Sequence, residues 1–318
     1  MKRLIIEKDN LCQNINIIKS MSSSKIIAVL KGNGYGLGML EFATFLLEKG
    51  IDMFAVSDIE DAICLSEEGF SGKVLLLTPT NLDDEAELIV KNKIIPSIGS
   101  ITSALVINDA ALRLDEVVDF HLKIDTGFGR FGLLADEITE FCTLLKTMEN
   151  LQIAGTYSHF SFSFSKKEKD VYSQYNKFIN AVELIKENGL NPGMLHICNS
   201  SAFLRFPQMH LDAVRIGSAF LGRIPIVNTY GLEKIGYLKS RIIETKELPK
   251  NHNIGYANTY KTRNATRIGI VPVGYLDGFG VEKSRDTFRP IDILRYIYND
   301  IKMFNKKHYV NIGGKHAP

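Results

Sequence analysis

Between residues 26 and 217 one pattern repeats: a short apolar stretch, then polar or glycine-containing residues, then a longer segment with apolar positions at helical spacing. The apolar stretches are IIAVLK (26–31), MFAVS (53–57), VLLLTP (74–79), IIPSI (94–98), FHLKID (120–125), IAGTYSH (153–159), MLHICNS (194–200) and AVRIG (213–217). Strands that alternate with helices are joined by crossovers and pair in parallel. Eight such units in about 200 residues predict an α/β fold closed as a TIM-type (β/α)8 barrel. The fourth stretch is weak, so an open doubly wound sheet is the alternative.

After about residue 222 the pattern changes. The stretch SRIIETKELPKNHNIGYANTYKTRNATRIGIVPVGYLDGFG has short strand-like runs separated by Gly, Asn and Asp, which predicts β-structure with tight turns. IDILRYIYNDIKMFNKK (291–307) has the spacing of an amphipathic helix, and HYVNIGGKHAP begins a strand and turn. The expected division is a barrel over 1–230 and an incomplete, mainly β C-terminal domain over 231–318.

Composition narrows the function classes. The 318 residues are 45% hydrophobic and 23% charged, an ordinary globular balance. A net charge of +2 supplies no basic stripe for nucleic acid, and no apolar run is long enough to span a bilayer or act as a secretory signal. The expectation is a cytoplasmic protein without nucleic-acid or membrane partners. Cys12, Cys64, Cys142 and Cys198 are scattered and read as reduced thiols, with no metal site.

In a barrel the chemistry sits at the C-terminal ends of the strands. Lys31 ends the first stretch, Lys123 and Asp125 the fifth, His159 the sixth, CNSS the seventh, and Arg215 with Gly217 the eighth. In FHLKID, alternation puts Phe120, Leu122 and Ile124 on one face and His121, Lys123 and Asp125 on the other, so Lys123 points into the barrel mouth if the apolar face meets the helices. A strand-end lysine is a surface charge, an ion-pair partner or an amine nucleophile. NSS and RIGS are each ordinary turn chemistry alone. Together they offer hydroxyls and backbone N–H groups where barrels hold phosphate, and a lysine in the same mouth points to pyridoxal phosphate. His121 and His196 read as core or barrel-mouth histidines without metal-ligand spacing. GNGYGLG lacks the spacing of a dinucleotide loop.

The blocks AVLKGNGYGLG, HLKIDTGFGRFG, HICNSSAFLRFP, VRIGSAFLG, IGYANTYK and PVGYLDGFG resemble, in order, the motifs of the pyridoxal-phosphate-dependent alanine racemases, which pair a barrel with a C-terminal β domain. The resemblance covers essentially the whole chain. It departs from the commonest pattern at Gly32 and Gly34, where alanine or another small residue is usual, and at Ala257, where glycine usually follows the tyrosine.

The resemblance implies that Lys31 holds the cofactor as a Schiff base and that Tyr35, Ser200, Gly217 and Ser218 bind its phosphate. It places Asn199 and His159 near the cofactor, Arg130 with Lys123 near its phenolic oxygen, and Arg215 against its pyridine nitrogen. Arginine only donates hydrogen bonds and keeps its proton, so a nitrogen facing it stays unprotonated, which weakens the ring as an electron sink. Racemisation needs an acid/base group on each face of the α-carbon. The resemblance assigns these to Lys31 and to Tyr256, the latter contributed across a homodimer interface. Lys123 and Arg130 would repel each other unless an anion intervened; carbamylation of Lys123 or a bound chloride would resolve this.

The implied reaction is racemisation of a small amino acid, alanine first, for supply of a cell-wall precursor. Serine or broad-specificity racemisation, decarboxylation on a related scaffold, and pyridoxal-phosphate binding with little activity are the alternatives. The resembling family continues beyond the position of Pro318, so the expectation is a shortened racemase that dimerises poorly, turns over slowly, and leaves Ile268, Ile270 and Val271 partly uncovered.

Overall fold

Alternation along the strands decides what each face of the barrel touches. A computed structural model of the chain describes residues 2–258, 260–281, 290–303 and 309–317. In chain order the first strands are β1 (Arg3–Ile6), β2 (Lys25–Val29), β3 (Met53–Val56), β4 (Lys73–Leu76) and β5 (Ile95–Ile98). They are followed by β6 (Val118–Lys123), β7 (Leu151–Tyr157), β8 (Met194–His196) and β9 (Ala213–Ile216). Strands β2 to β9 form a closed parallel barrel in which each pairs with its chain neighbour and β2 pairs with β9. The eight apolar stretches are the eight barrel strands, and the weak fourth one pairs on both sides.

Ile27, Met53, Ala55, Leu75 and Ala213 pack together as an apolar cluster on the inner face of these strands. Their sequence neighbours Ala28, Phe54, Val74, Leu76 and Val214 pack in a separate, larger cluster with helix residues such as Leu46, Ala62, Ile89 and Ile107. Burial of such a side chain contributes about 1.5–3 kcal/mol. Helix Lys169–Glu187 shows the matching helical logic, burying Val171, Gln174, Phe178, Ala181, Val182 and Ile185 at three- and four-residue intervals.

Around β5 to β9 the interior is polar instead: Ser97, His121, Tyr157, His196 and Arg215 are all buried. Phe120, Leu122 and Ile124 join the helix-side cluster, as the alternation in FHLKID predicts. The β6–β7 ladder shifts register between Phe120 and His121, so that His121 lies opposite Gly155.

The chain divides into two compact units, Ile5–Tyr237 and Met1–Leu4 with Leu238–Pro318. The expected boundary at 230/231 differs in two respects: the barrel unit runs on to Tyr237, and the N-terminal residues group with the second unit. There the Lys2 amine pairs with Asp277 at 2.6 Å. That pairing, with the Gly274 N–H, holds the Asp277 carboxyl below its usual range.

The remaining strands are β10 (Gly236–Lys239), β11 (Glu244–Leu248), β12 (Asn253–Ile254), β13 (Tyr260–Lys261), β14 (Thr266–Ile270), β15 (Val310–Ile312) and β16 (Lys315–Ala317). β1 pairs with β10, and β11 pairs antiparallel with β14 from Glu244 opposite Ile270 to Leu248 opposite Thr266. β12 with β13 and β15 with β16 form short antiparallel ribbons, and the amphipathic stretch forms helix Pro290–Met303. Among the described residues no helix is long and apolar enough to cross a membrane.

The turn between β12 and β13 carries strain. Ala257 sits at φ 53°, ψ 13°, in the left-handed region where a Cβ crowds the following carbonyl. Replacing Ala257 by glycine is expected to stabilise this turn by about 1 kcal/mol. Hydrogen exchange of the β12 and β13 amides checks it, and unchanged or faster exchange would count against the strain.

Candidate active site

The C-terminal mouth of the barrel holds a cavity of about 500 Å3. Lys31, Tyr35, Arg130, His159, Asn199, Ser200, Arg215, Gly217 and Ser218 all line it, as does Lys123. Tyr256 lies in the second unit, where its side chain is 99% exposed.

Lys31 lies just past the end of β2, after Leu30, and the chain then makes an unusual move. Gly32, Asn33, Gly34 and Tyr35 are all left-handed, with φ between 52° and 62°. An L-residue in this conformation costs about 1–2 kcal/mol, and consecutive ones are rare outside glycine and asparagine. Gly32 and Gly34, the two departures from the commonest family pattern, therefore sit where a Cβ would add strain. Asn33 tolerates the conformation and its side-chain oxygen accepts from the Met39 N–H at 2.9 Å. Tyr35 bears the remaining strain, and in return its ring comes back over the cavity, 6.0 Å from the Lys31 amine. Burial pushes the Tyr35 phenol up to about 12, so it stays a hydrogen-bond donor.

The Tyr35 hydroxyl lies against Gly217, close enough that any Cβ there would collide with it. Ser200 sits on the same side, its hydroxyl accepting from the backbone N–H groups of Gly217 at 3.1 Å and Ala219 at 3.4 Å. Asn199 caps the helix Ser200–Arg205: its side-chain oxygen accepts from the Ala202 N–H at 3.0 Å and from the Ser163 hydroxyl at 2.8 Å. Asn199 thus fixes the corner in which Ser200, Gly217 and Ser218 meet.

Arg215 is 2% exposed and pairs with no carboxylate among the described residues. Its Nη1 donates to His196 Nδ1 at 2.5 Å and to the His196 carbonyl at 3.2 Å. Its Nη2 donates to the Ser158 carbonyl at 2.6 Å, the Ile197 carbonyl at 3.1 Å and His159 Nδ1 at 3.2 Å. Both terminal nitrogens are therefore committed, which leaves Nε–H as the donor without a partner among the described residues. Burial pulls the guanidinium down to about 10, so it is still charged at neutral pH. His159 is held well below its ordinary range by burial and by the cations Arg215, Lys123, Arg130 and Lys31, so the ring is neutral and carries its proton on Nε2.

The second cation cluster depends on Asp125. One carboxylate oxygen accepts from the N–H groups of Gly127, Phe128 and Gly129 at 2.8, 2.9 and 3.2 Å, and the other from Gly129 at 2.9 Å. This ties down the loop bearing Arg130, whose guanidinium lies 4.7 Å from the centre of the Phe128 ring. Lys123 sits over the Tyr157 and Phe131 rings at 5.1 and 5.2 Å. Burial, with repulsion from Arg215 and Arg130, pulls the Lys123 amine down to about 7, against the opposing pull of Asp125.

Sequence reasoning did not single out Tyr157, Ser57 or Thr78, which also line the cavity. Tyr157 had a signal, since alternation back from His159 along IAGTYSH puts Tyr157 and Gly155 on the same face. Ser57 and Thr78 had only their places at strand ends. Asp125 was visible as a strand-end residue, but its role in organising the loop was not.

A strand-end amine, a hydroxyl- and amide-lined corner kept open by a glycine, and a buried arginine with one N–H to spare fit an aldehyde, a phosphate and a pyridine nitrogen respectively. These features define the class of barrel enzymes that hold pyridoxal phosphate on a lysine. Two families match the chain: alanine racemase, N-terminal domain, over residues 6–225, and alanine racemase, C-terminal domain, over residues 235–291. The chain belongs to the alanine racemase family, whose cofactor is pyridoxal phosphate. It is 32% identical over 286 residues to the alanine racemase of Clostridium perfringens (strain SM101 / Type A), covering 86% of this chain and 72% of that one. The alanine racemase structure of Clostridium difficile 630 superposes with a TM-score of 0.86 at 28% identity, covering 99% of this chain and 78% of that one. That of Bacillus anthracis with bound L-Ala-P gives 0.79 at 28%, covering 87% and 74%.

Proposed function

We propose that this chain interconverts L- and D-alanine by a two-base mechanism, with Lys31 and Tyr256 as the bases. The observation that carries it is the single cavity wall that joins Lys31 to the Tyr35–Ser200–Gly217–Ser218 corner and to Arg215. Pyridoxal phosphate, when bound, withdraws electron density from the amino acid's α-carbon and so acidifies the α-proton. Lys31 would hold the cofactor through Nζ and, as a free amine, would take or give the α-proton on one face. Tyr256 does the same on the opposite face through its phenolic oxygen, contributed by a second copy of the chain in a homodimer. Tyr35, Ser200 and Ser218 would donate their hydroxyls to the phosphate beside Gly217, whose N–H meets the Ser200 hydroxyl, while Asn199 holds that corner together. Arg215 would donate from Nε–H to the ring nitrogen and, because it keeps its proton, would not protonate it. His159 stays neutral beside Arg215 and near the reacting groups. Arg130 faces the phenolic oxygen. Lys123, with an amine at about 7, has a neutral fraction near pH 7 able to take up carbon dioxide, which turns the cation into an anion that orients Arg130. A cytoplasmic location accords with a role in supplying D-alanine for the cell wall.

Serine is the second reading, because Ser57 and Thr78 put hydroxyls that bond to no other described residue on the cavity wall. One incubation tests both. The chain with pyridoxal phosphate in deuterated water should convert L-alanine to a mixture near 1:1 carrying deuterium at the α-carbon, with L-serine converted more slowly. Absence of α-deuteration in both amino acids sinks the racemase reading, and release of carbon dioxide would replace it with decarboxylation. In the same assay Tyr256→Phe is expected to slow α-exchange unequally for the two enantiomers, by about 10²-fold or more in the affected direction. Equal losses that track cofactor release would instead make Tyr256 a packing residue.

A further inference from the structure

Behind the cavity, three side chains in the barrel interior form a hydrogen-bond chain whose direction is forced. A guanidinium only donates, so His196 Nδ1, 2.5 Å from Arg215 Nη1, accepts. A neutral imidazole that accepts at one nitrogen carries its proton on the other, so His196 Nε2–H donates to His121 Nδ1 at 2.8 Å. Burial, reinforced by the charge of Arg215, holds both rings neutral, His121 down to about 4 and His196 well below its ordinary range. Tyr157 stacks on His196 with ring centres 4.8 Å apart and planes 4° from parallel, which restricts tilting of the imidazole. Tyr157 is pinned in turn: the Ser97 hydroxyl donates to the Leu76 carbonyl at 2.6 Å and lies 2.7 Å from the Tyr157 hydroxyl, which also reaches the Leu77 carbonyl at 3.2 Å.

Space for His121 is built into the backbone. The register shift between β6 and β7 sets Gly155 opposite it, and a Cβ on Gly155 would lie 2.7 Å from His121 Cε1 and 2.9 Å from its Nδ1. A glycine in mid-strand is less stable there than alanine, so this opening is itself a stability cost.

We propose that His121 is a positioning residue for the racemase site: by accepting the Nε2–H of His196 it holds that ring in the tautomer that accepts from Arg215, and so sets where the guanidinium meets the cofactor's ring nitrogen. With no acceptor at 121, the His196 proton is free to move to Nδ1, where it would oppose an Arg215 N–H. The proposal rests on the reading above in which Arg215 faces pyridoxal phosphate, but its first test does not. In the cofactor-free wild-type chain labelled with 15N-histidine, His196 and His121 should both show Nε2–H tautomers. A His196 proton on Nδ1 overturns the proposal whatever the racemase assay gives.

The second test compares His121→Leu, which removes the acceptor but keeps the bulk, with His121→Gln, whose amide oxygen can accept. In His121→Leu the dissociation constant for pyridoxal phosphate should rise about tenfold, the scale of one lost hydrogen bond, and the absorbance of the bound cofactor should change its pH dependence. His121→Gln should restore most of both. Equal behaviour of His121→Leu and the wild type, or a His121→Gln as perturbed as His121→Leu, overturns the positioning role. If His121→Leu does not fold, the wild-type tautomers and the glutamine variant still decide. A wild-type chain that binds no pyridoxal phosphate would remove the functional reading separately.

Discussion

Lys31→Ala is expected to lose the absorbance of lysine-bound pyridoxal phosphate and to lower racemisation by about 10⁴-fold or more, because in the proposed mechanism one side chain both anchors the cofactor and moves a proton. The rival amine is Lys123, which lines the same cavity. Its amine, at about 7, is mostly neutral at about pH 8, so that pH is the demanding condition for the test. Lys123 belongs to β6, across the barrel mouth from β2, and its amine rests against the Tyr157 and Phe131 rings. Borohydride reduction followed by peptide mapping distinguishes the two. Label on Lys31 in the wild type and none in the variant is the expected result. Label on Lys123 with activity retained would show that Lys31 is not the anchor.

Arg215→Glu is expected to destabilise the barrel by about 3–5 kcal/mol, the scale of an uncompensated buried charge. The guanidinium donates to the carbonyl oxygens of Ser158, His196 and Ile197. A carboxylate in its place would face oxygen with oxygen, and His196 Nδ1 would lose its donor. Urea unfolding of the cofactor-free protein measures this directly, with Arg215→Lys as the charge-keeping control expected to fall between the two. An unchanged urea midpoint for Arg215→Glu would mean that the buried network does not depend on the arginine. Should the variant fold well enough to bind pyridoxal phosphate, its absorbance is expected to differ from the wild type, because the ring nitrogen would then face an acceptor.

Much of the barrel side of the site was legible because its signals are local. Strand ends in a parallel barrel converge on one mouth, so Lys31, Lys123, His159, Ser200, Arg215 and Gly217 are drawn together by their positions in the eight repeats. The glycines at 32 and 34 were visible as departures from a pattern, but their reason was not. It lies in the left-handed turn, a property of backbone angles that no spacing rule reports. His121 and His196 were legible only as buried or barrel-mouth histidines. Their direct contact depends on the β6–β7 register shift and on the opening at Gly155.

Local sequence accounts for the eightfold alternation, the inward and outward faces of its strands, and the residue types at the barrel mouth, since each follows from periods of 2 and 3.6 acting over short stretches. Which buried groups became partners, and what state they hold, followed from long-range packing. Asp125 became a loop anchor, Arg215 found carbonyls and imidazoles among its partners, and Lys123 acquired an amine at about 7. The physical reason is that desolvation and hydrogen-bond direction depend on every atom within a few ångströms, and those atoms come from strands far apart in the chain.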